Sequence, residues 1–306
     1  VNEFSYNGGI LLLTKKTIKP LKELTLLDRF LFAEAMEDPE TNRLVLEIIL
    51  GGELSLKGLA QAEKEFRLSP LVRSIRVDVY SIDEFGRVFD TEVQKRDKQK
   101  LPRRSRLYQS LIDSVLMPPG TVDFNALTDC YIIIISPFDL VGMGRYSYTF
   151  RMRCDEKPEY CLGDGATRIF LNTRGEDETS ASPELIEMLR YFEQANGETY
   201  PPIAGDKLRQ IHERVQAIRS SEEIGVKYLN LWEEKWEEQQ EAKKEGRIEG
   251  EQLTLIHLVR KSVSQNVPIE TLVALLDLDR DIILQLCDKI REDPELPDEE
   301  LIKILS

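Results

Sequence analysis

The sequence predicts an α/β domain followed by a helical region, and three observations carry that expectation. Apolar residues recur at helical spacing near the N-terminus, the period changes to two between Ile75 and Lys95, and beyond Ser182 the pattern is helical almost to the end. The order helix, strand, strand, helix, strand builds a layered unit, because each element has an apolar face that another must cover. The chain of 306 residues suits one large domain with an appendage or two domains. The expected division is 1–180 for the α/β domain and 181–306 for an acidic, mostly helical C-terminal region.

Residues 24–36 (LTLLDRFLFAEAM) and 41–50 place apolar side chains on one helical stripe, which predicts a helical N-terminal layer. From Ile75 onward, Ile75, Val77 and Val79 alternate with Arg76, Asp78 and Tyr80, the mark of a strand with one polar face. Asp83-Glu84-Phe85-Gly86 reads as a turn in which Gly86 can take positive φ. The return strand, 87–95, sets Phe89, Thr91 and Val93 on one side and Asp90, Glu92 and Gln94 on the other. Leu107, Leu111, Ser114 and Val115 then predict a helix over 103–117, stopped by Pro118-Pro119-Gly120. The β-branched run 131–135, bounded by Pro137, suits a strand buried on both faces. Further short strands are expected at 146–152 and 168–173, and Pro201-Pro202, Pro268 and Pro294 punctuate the helical remainder.

Composition excludes several functions. A hydrophobic content of 41% is ample for a core, so global disorder is out. No apolar run approaches the roughly 18 residues of a membrane span, and the early apolar cluster lacks the basic flank of a secretory signal. The chain therefore reads as cytoplasmic, with no membrane partner. Cys130, Cys154, Cys161 and Cys287 form no C-x-x-C pair and no disulfide framework, which argues for plain thiols. His212 and His257 lie in polar helical stretches with no nucleophile motif nearby, and no phosphate-cradling glycine loop is present. Carboxylates, with or without an oxygen-loving metal, are the remaining catalytic resource.

The net charge of −14 is unevenly distributed. Residues 1–155 carry 22 basic and 22 acidic side chains, whereas the other 151 carry 19 and 33. Polyanion binding depends on the local patch, so the acidic total does not argue against nucleic acid as a partner of the first half. Lys95, Arg96, Lys98, Lys100, Arg103, Arg104 and Arg106 form a dense basic stretch opposed only by Asp97. A solvated loop and helix start explains such a stretch when it stands alone.

Its neighbours give it a second meaning. A hairpin centred on Phe85 sets Asp78 opposite Glu92 on the polar face, with β-carbons about 4.5–5.5 Å apart. Like charges in that position need a compensating cation, and Mg²⁺, which takes one or two carboxylates and reaches phosphate oxygens, fits. Gln94 shares the face. A one-residue slip would remove the pairing, and Arg76 and Arg87 offer a purely structural pairing for the same carboxylates.

VDVYSIDEFGRVFDTEVQKRD (77–97), RSRLYQSLID (104–113), YIIIISPFDLVGMGRYSYTFRMRC (131–154) and DGATRIFLNTRG (164–175) together resemble the PD-(D/E)XK nuclease family transposases, or recombination-promoting nucleases. GETYPPIAGDKLRQIHERV and KKEGRIEG extend the likeness toward the C-terminus. The resemblance implies a restriction-endonuclease-like core of mixed sheet flanked by helices, and Mg²⁺-dependent cleavage of DNA in recombination or mobile elements, with Mn²⁺ as a substitute ion. It implies Asp78 and Glu92 as metal carboxylates and Gln94 in the place of the superfamily's lysine. Asp28 resembles the family's N-terminal acidic position, and Tyr108 with Gln109 its helix block. A neutral amide at Gln94 can hydrogen-bond a water but cannot neutralise charge at phosphorus as a lysine does. Lys95 points to the opposite face and cannot substitute. The substitution keeps a second function open, a catalytically degenerate nuclease fold that binds nucleic acid or protein. With this site beside it, the basic stretch becomes a candidate grip on the DNA backbone.

In the acidic region, Ile224, Tyr228, Leu231 and Trp232 share a helical face, followed by six Glu and three Lys between Glu233 and Glu245. A charge-studded surface helix accounts for this pattern. The functional alternatives are a homo-oligomer through the C-terminal helices or a cover for the basic groove. Residues 269–292 read as a helical pair whose exposed Asp281 and Asp288 suit a DNA groove poorly.

Overall fold

The computed structural model describes residues 18–66, 75–96, 100–117, 120–195, 203–276 and 278–305. It divides into two compact units, 1–228 and 229–306.

The first unit is an α/β sandwich. Helices α1 (Arg29–Glu37) and α2 (Pro39–Leu50) come first, and Asp38 separates them by accepting the Thr41 N–H at 3.0 Å with Pro39 at the helix start. Gly51, at φ +74°, ends α2. Strands β1 (Gln61–Ala62), β2 (Glu65–Phe66), β3 (Ile75–Arg76), β4 (Val79–Ile82) and β5 (Val88–Val93) follow, then α3 (Leu101–Leu116) and strands β6 (Cys130–Ser136), β7 (Ser147–Phe150) and β8 (Ala166–Asn172). Six of them form one mixed sheet in the order β1-β4-β5-β6-β8-β7. The β5–β6 and β6–β8 pairs are parallel, and α3 makes the β5–β6 crossover that parallel strands require.

The two sheet faces are covered by different helices. Odd-numbered strand residues Val79, Phe89, Ile133, Ile135, Ile169 and Leu171 pack with α1, α2, α4 (Pro183–Gln194) and α5 (Asp206–Ser220). Even-numbered Tyr80, Val88, Ile132, Ile134 and Phe170 pack under α3 through Leu101, Tyr108, Leu111 and Ile112. The face expected to be polar is therefore roofed by α3, and every residue of β5 is buried. Hydrophobic period alone shows only that a strand has two unlike faces, while the crossover helix decides that both are covered.

The hairpin register is the expected one. Val79 pairs with Thr91, Tyr80 with Asp90 and Ile82 with Val88, which puts Asp78, one step beyond the ladder, opposite Glu92. Gly86 closes the turn at φ +81° and donates to the Asp83 carbonyl at 3.0 Å. The single strand expected from Ile75 to Tyr80 is broken: β3 pairs with β2 in a separate two-stranded ribbon, and pairing to β5 starts at Val79.

The compact units divide after Tyr228, whereas the sequence places the division between 180 and 181. Amphipathic α4 and α5 bury Leu185, Met188, Leu189, Phe192, Leu208, Ile211 and Val215 in the same core as α1 and α2. Sequence marks them as helices of the C-terminal half, but their apolar stripes have the sheet as partner. The long helix α6 (Glu222–Ser264) begins in this unit, where the Tyr228 ring packs tilted against Phe30 with centroids 4.9 Å apart.

The second unit is helical. The last turns of α6 and helices α7 (Ile269–Leu276), α8 (Arg280–Glu292) and α9 (Asp298–Leu305) enclose Ile256, Val259, Leu272, Ile283, Leu286, Ile290 and Leu301. Asp281 and Asp288 are exposed on α8. Among the described residues no helix is long and apolar enough to cross a membrane.

Candidate functional site

Asp78 and Glu92 lie together on the α3-covered face, and both are almost fully buried. The Val93 N–H donates to Asp78 Oδ2 at 3.3 Å across the hairpin, and Arg29, first residue of α1, approaches Asp78 Oδ1 at 2.7 Å. Arg104 reaches down from α3 and commits its whole guanidinium. Nη2 pairs with Glu92 Oε2, Nη1 donates to Gln94 Oε1 at 2.9 Å and Nε donates to the Tyr108 hydroxyl at 2.8 Å. The Tyr108 ring also lies 4.9 Å from the guanidinium carbon. Two arginines thus supply the positive charge that facing carboxylates require.

Asp90 completes the group. It is wholly buried, and neither of its oxygens has a hydrogen-bond partner; Glu92 Oε1 is likewise unpartnered. Burial, then Glu92 and Asp78, push the Asp90 carboxyl well above the usual range. Burial and Asp78 push Glu92 up to about 8 against the pull of Arg104 and Arg29, and burial raises Asp78 against Arg29. Burial works against the Arg104 charge, but Glu92, Tyr108 and Asp78 together outweigh it and shift Arg104 upward.

A cleft of about 720 Å³ opens above these residues. Arg29, Arg76, Lys100, Arg103 and Arg104 line it together with Gln94, and among the described residues no acidic side chain does. Asp78 and Glu92 sit behind the Arg29 and Arg104 guanidiniums.

The remaining expected residues divide. Tyr108 belongs to the site through Arg104 and is also a core residue. Gln109, one position on, faces elsewhere and accepts from Arg168 Nη2 on β8 at 2.9 Å, so it joins helix to sheet and not to the carboxylates. Asp28 precedes α1 and accepts from the Thr25 N–H at 2.9 Å and from Lys95, with Lys19 at 3.8 Å. Its neighbour Arg29 is the residue that touches Asp78. Of the basic stretch, Lys100 and Arg103 face the cleft, Lys95 is paired with Asp28, and Arg104 is the counterion of Glu92. Arg96 accepts the Gln94 amide through its backbone carbonyl at 2.8 Å, Arg106 is exposed on α3 outside the cleft wall, and Lys98 lies outside the described residues.

Two members were missed by sequence reasoning. Asp90 carried a signal, since it shares the period-two set with Glu92 and Gln94. Arg29 carried none, because its approach to Asp78 depends on how α1 lies against the hairpin. The four cysteines are free, and His212 is spent on the Tyr191 hydroxyl at 3.1 Å.

No family model matches the chain, and no curated protein or solved structure resembles it significantly.

Whether a divalent ion fits is answered by the donor set. Among the described residues no three or more His, Cys, Asp or Glu side chains converge as a metal-ligand group. The oxygen donors at the site are Asp78 and Glu92, each already paired with an arginine, and one unpartnered Glu92 oxygen.

Proposed function

We propose that this chain is a divalent-metal-dependent endonuclease of the PD-(D/E)XK type, hydrolysing DNA phosphodiester bonds in recombination or mobile-element chemistry. The observation that supports it is the pairing of Asp78 with Glu92 beneath a cleft walled by five cations. Asp78 and Glu92 would hold Mg²⁺, or Mn²⁺ in its place. When bound, such an ion activates water and offsets negative charge on the phosphate.

The chain's own residues do the rest. Lys100 and Arg103 receive the phosphate backbone at the cleft wall. Gln94 hydrogen-bonds the attacking water once its amide leaves Arg104 and the Arg96 carbonyl. Hydrolysis joins the water oxygen to phosphorus and breaks one ester bond, giving a phosphomonoester and a hydroxyl, with the water's protons passing to the leaving oxygen and to solvent.

Cleavage of supercoiled plasmid with Mg²⁺, Mn²⁺ or EDTA tests this. Metal-dependent nicking that disappears in Asp78→Ala is the expected result, and equal rates in variant and wild type would refute it. One observation favours a second reading, a degenerate fold serving as a binding accessory: Arg29 and Arg104 already neutralise both carboxylates while Gln94 stands where lysine is expected. DNA binding by a folded wild type that takes up metal without turnover would select it.

A further inference from the structure

We propose that two copies of this chain pair antiparallel through α6, the tryptophans of each copy seating against bare glycines of the other. The surface lies within the second unit, along the stretch of α6 whose residues 233–251 are exposed throughout. It is independent of the nuclease reading. A helix exposed on every side draws most of its stability from whatever covers its apolar stripe, so the stripe and its flanks define what that cover must be.

Three features of α6 carry it. The first is a seam. Leu229, Trp232, Trp236, Gln239, Lys243, Gly246, Gly250 and Leu253 follow one another at alternating steps of three and four, the spacing of positions that face a partner helix in a coiled coil. Leu229, Trp236 and Leu253 are exposed, and Trp232 stacks on Trp236 with ring centroids 6.4 Å apart. The second is shape. Gly246 and Gly250 do not take positive φ, and a Cβ on either would meet nothing within 4 Å, so neither turn geometry nor the chain's own packing calls for glycine. Glycine weakens a helix interior, and here the two open a notch of about 570 Å³ bordered by Arg247, Thr254 and Leu255. Running the seam antiparallel sets Trp236 opposite the partner's Gly246 and Trp232 opposite the partner's Gly250. Leu229 then meets the partner's Leu253, and Gln239 meets the partner's Lys243. Each large ring faces bare backbone, the large-against-small fit that close helix packing needs.

The third feature is charge. In the same register the residues flanking the seam pair as Glu233 with the partner's Arg247 and Lys235 with the partner's Glu249. Twofold symmetry makes each pair twice and puts Ala242 on the axis. Arg247 approaches Glu251 at 3.8 Å with both side chains well exposed, a weak pair that leaves the guanidinium available. A parallel pair loses all of this: tryptophan meets tryptophan, glycine meets glycine, Lys243 meets its own like charge and Lys235 faces Gln240. The occupant that matches stripe, notch and flanks together is a second copy of α6, reversed.

The test uses the full chain in sedimentation equilibrium and in tryptophan fluorescence, which reads this seam because Trp232 and Trp236 are the chain's two tryptophans. A dimer whose emission moves to the red as dilution separates it is the expected result. Lys235→Glu/Arg247→Glu puts like charges at every flanking contact and should weaken the dimer about tenfold or more at physiological salt. Adding Glu233→Arg and Glu249→Lys makes the contacts opposite again and should bring the affinity back to within about threefold of wild type. The two members of each pair stand about 21 Å apart along one helix, beyond a screened contact, so the rescue reads pairing between reversed copies. Gly246→Gln/Gly250→Gln should also weaken the dimer about tenfold although it strengthens the isolated helix, an outcome that a merely structural role for the glycines does not give. A full chain that stays monomeric overturns the proposal, and so does a dimer indifferent to the charge reversal. Loss without rescue, at unchanged helix content by circular dichroism, overturns the antiparallel register.

Discussion

Asp90 is the costliest residue of the group. A carboxyl with no exposure and no partner has nothing to offset its desolvation, so it stays protonated to higher pH than an ordinary aspartate. In the unfolded chain it ionises near pH 4. Between that pH and its raised folded value the native state holds the extra proton, so stability falls as pH rises through the window. Asp90→Asn removes the titration and loses no hydrogen bond. The variant should match the wild type near pH 4 and exceed it by roughly 1–3 kcal/mol at pH 8; thermal unfolding at the two pH values checks this, and a gap that does not grow with pH would count against it. Glu92 and Asp78, also raised, contribute in the same direction. The period-two pattern named Asp90 as a neighbour of Glu92, but its isolation was not legible, because burial is a property of what α3 covers.

At the scale of elements, the β4–β5 hairpin and α3 build the site between them. The turn fixes the register, and the register fixes which carboxylates meet. Gly86 holds that turn at φ +81°, and a Cβ there would meet Thr128 Cγ2 at 3.2 Å. Gly86→Val should therefore destabilise the first unit by about 1–2 kcal/mol, read as a lower denaturation midpoint with unchanged slope. Helix α3 contributes cations of two kinds. Arg103 faces the cleft, so Arg103→Ala should weaken DNA binding and lower the slope of log K against log salt by about 1. An unchanged slope would remove Arg103 from the contact surface. The sequence showed the basic stretch as one patch; only the helix, with its turn of 3.6 residues, separates Arg104 toward the carboxylates from Arg106 on its exposed side.

For the whole molecule, the position of the unit boundary has consequences for truncation. A chain ending at Gly205 loses α5, with the buried Leu208, Ile211 and Val215 and the Arg219 guanidinium that donates to the Leu24 carbonyl at 2.7 Å. It should lose cooperative unfolding. A chain ending at Tyr228 keeps that core and should unfold cooperatively, and loss of cooperativity there would contradict the division. Residues 233–251 of α6 are exposed throughout and strongly acidic. Sedimentation of the 1–228 chain beside the full chain therefore tests self-association through the C-terminal helices. A smaller assembly in the shorter chain supports that role, and identical states remove it.

The sequence by itself determined the α/β class, the hairpin register that opposes Asp78 and Glu92, and the helical character of the elements described after Ser182. Those properties are local: they follow from residue period, turn chemistry and sequence separations of a few residues. Tertiary structure alone decided that the carboxylate face is buried, that α4 and α5 complete the first core, and that Arg29 and Arg104 stand on Asp78 and Glu92. The physical reason is that burial and counterion choice depend on which helix packs on which sheet face, and hydrophobic period shows that a face is apolar without naming its partner.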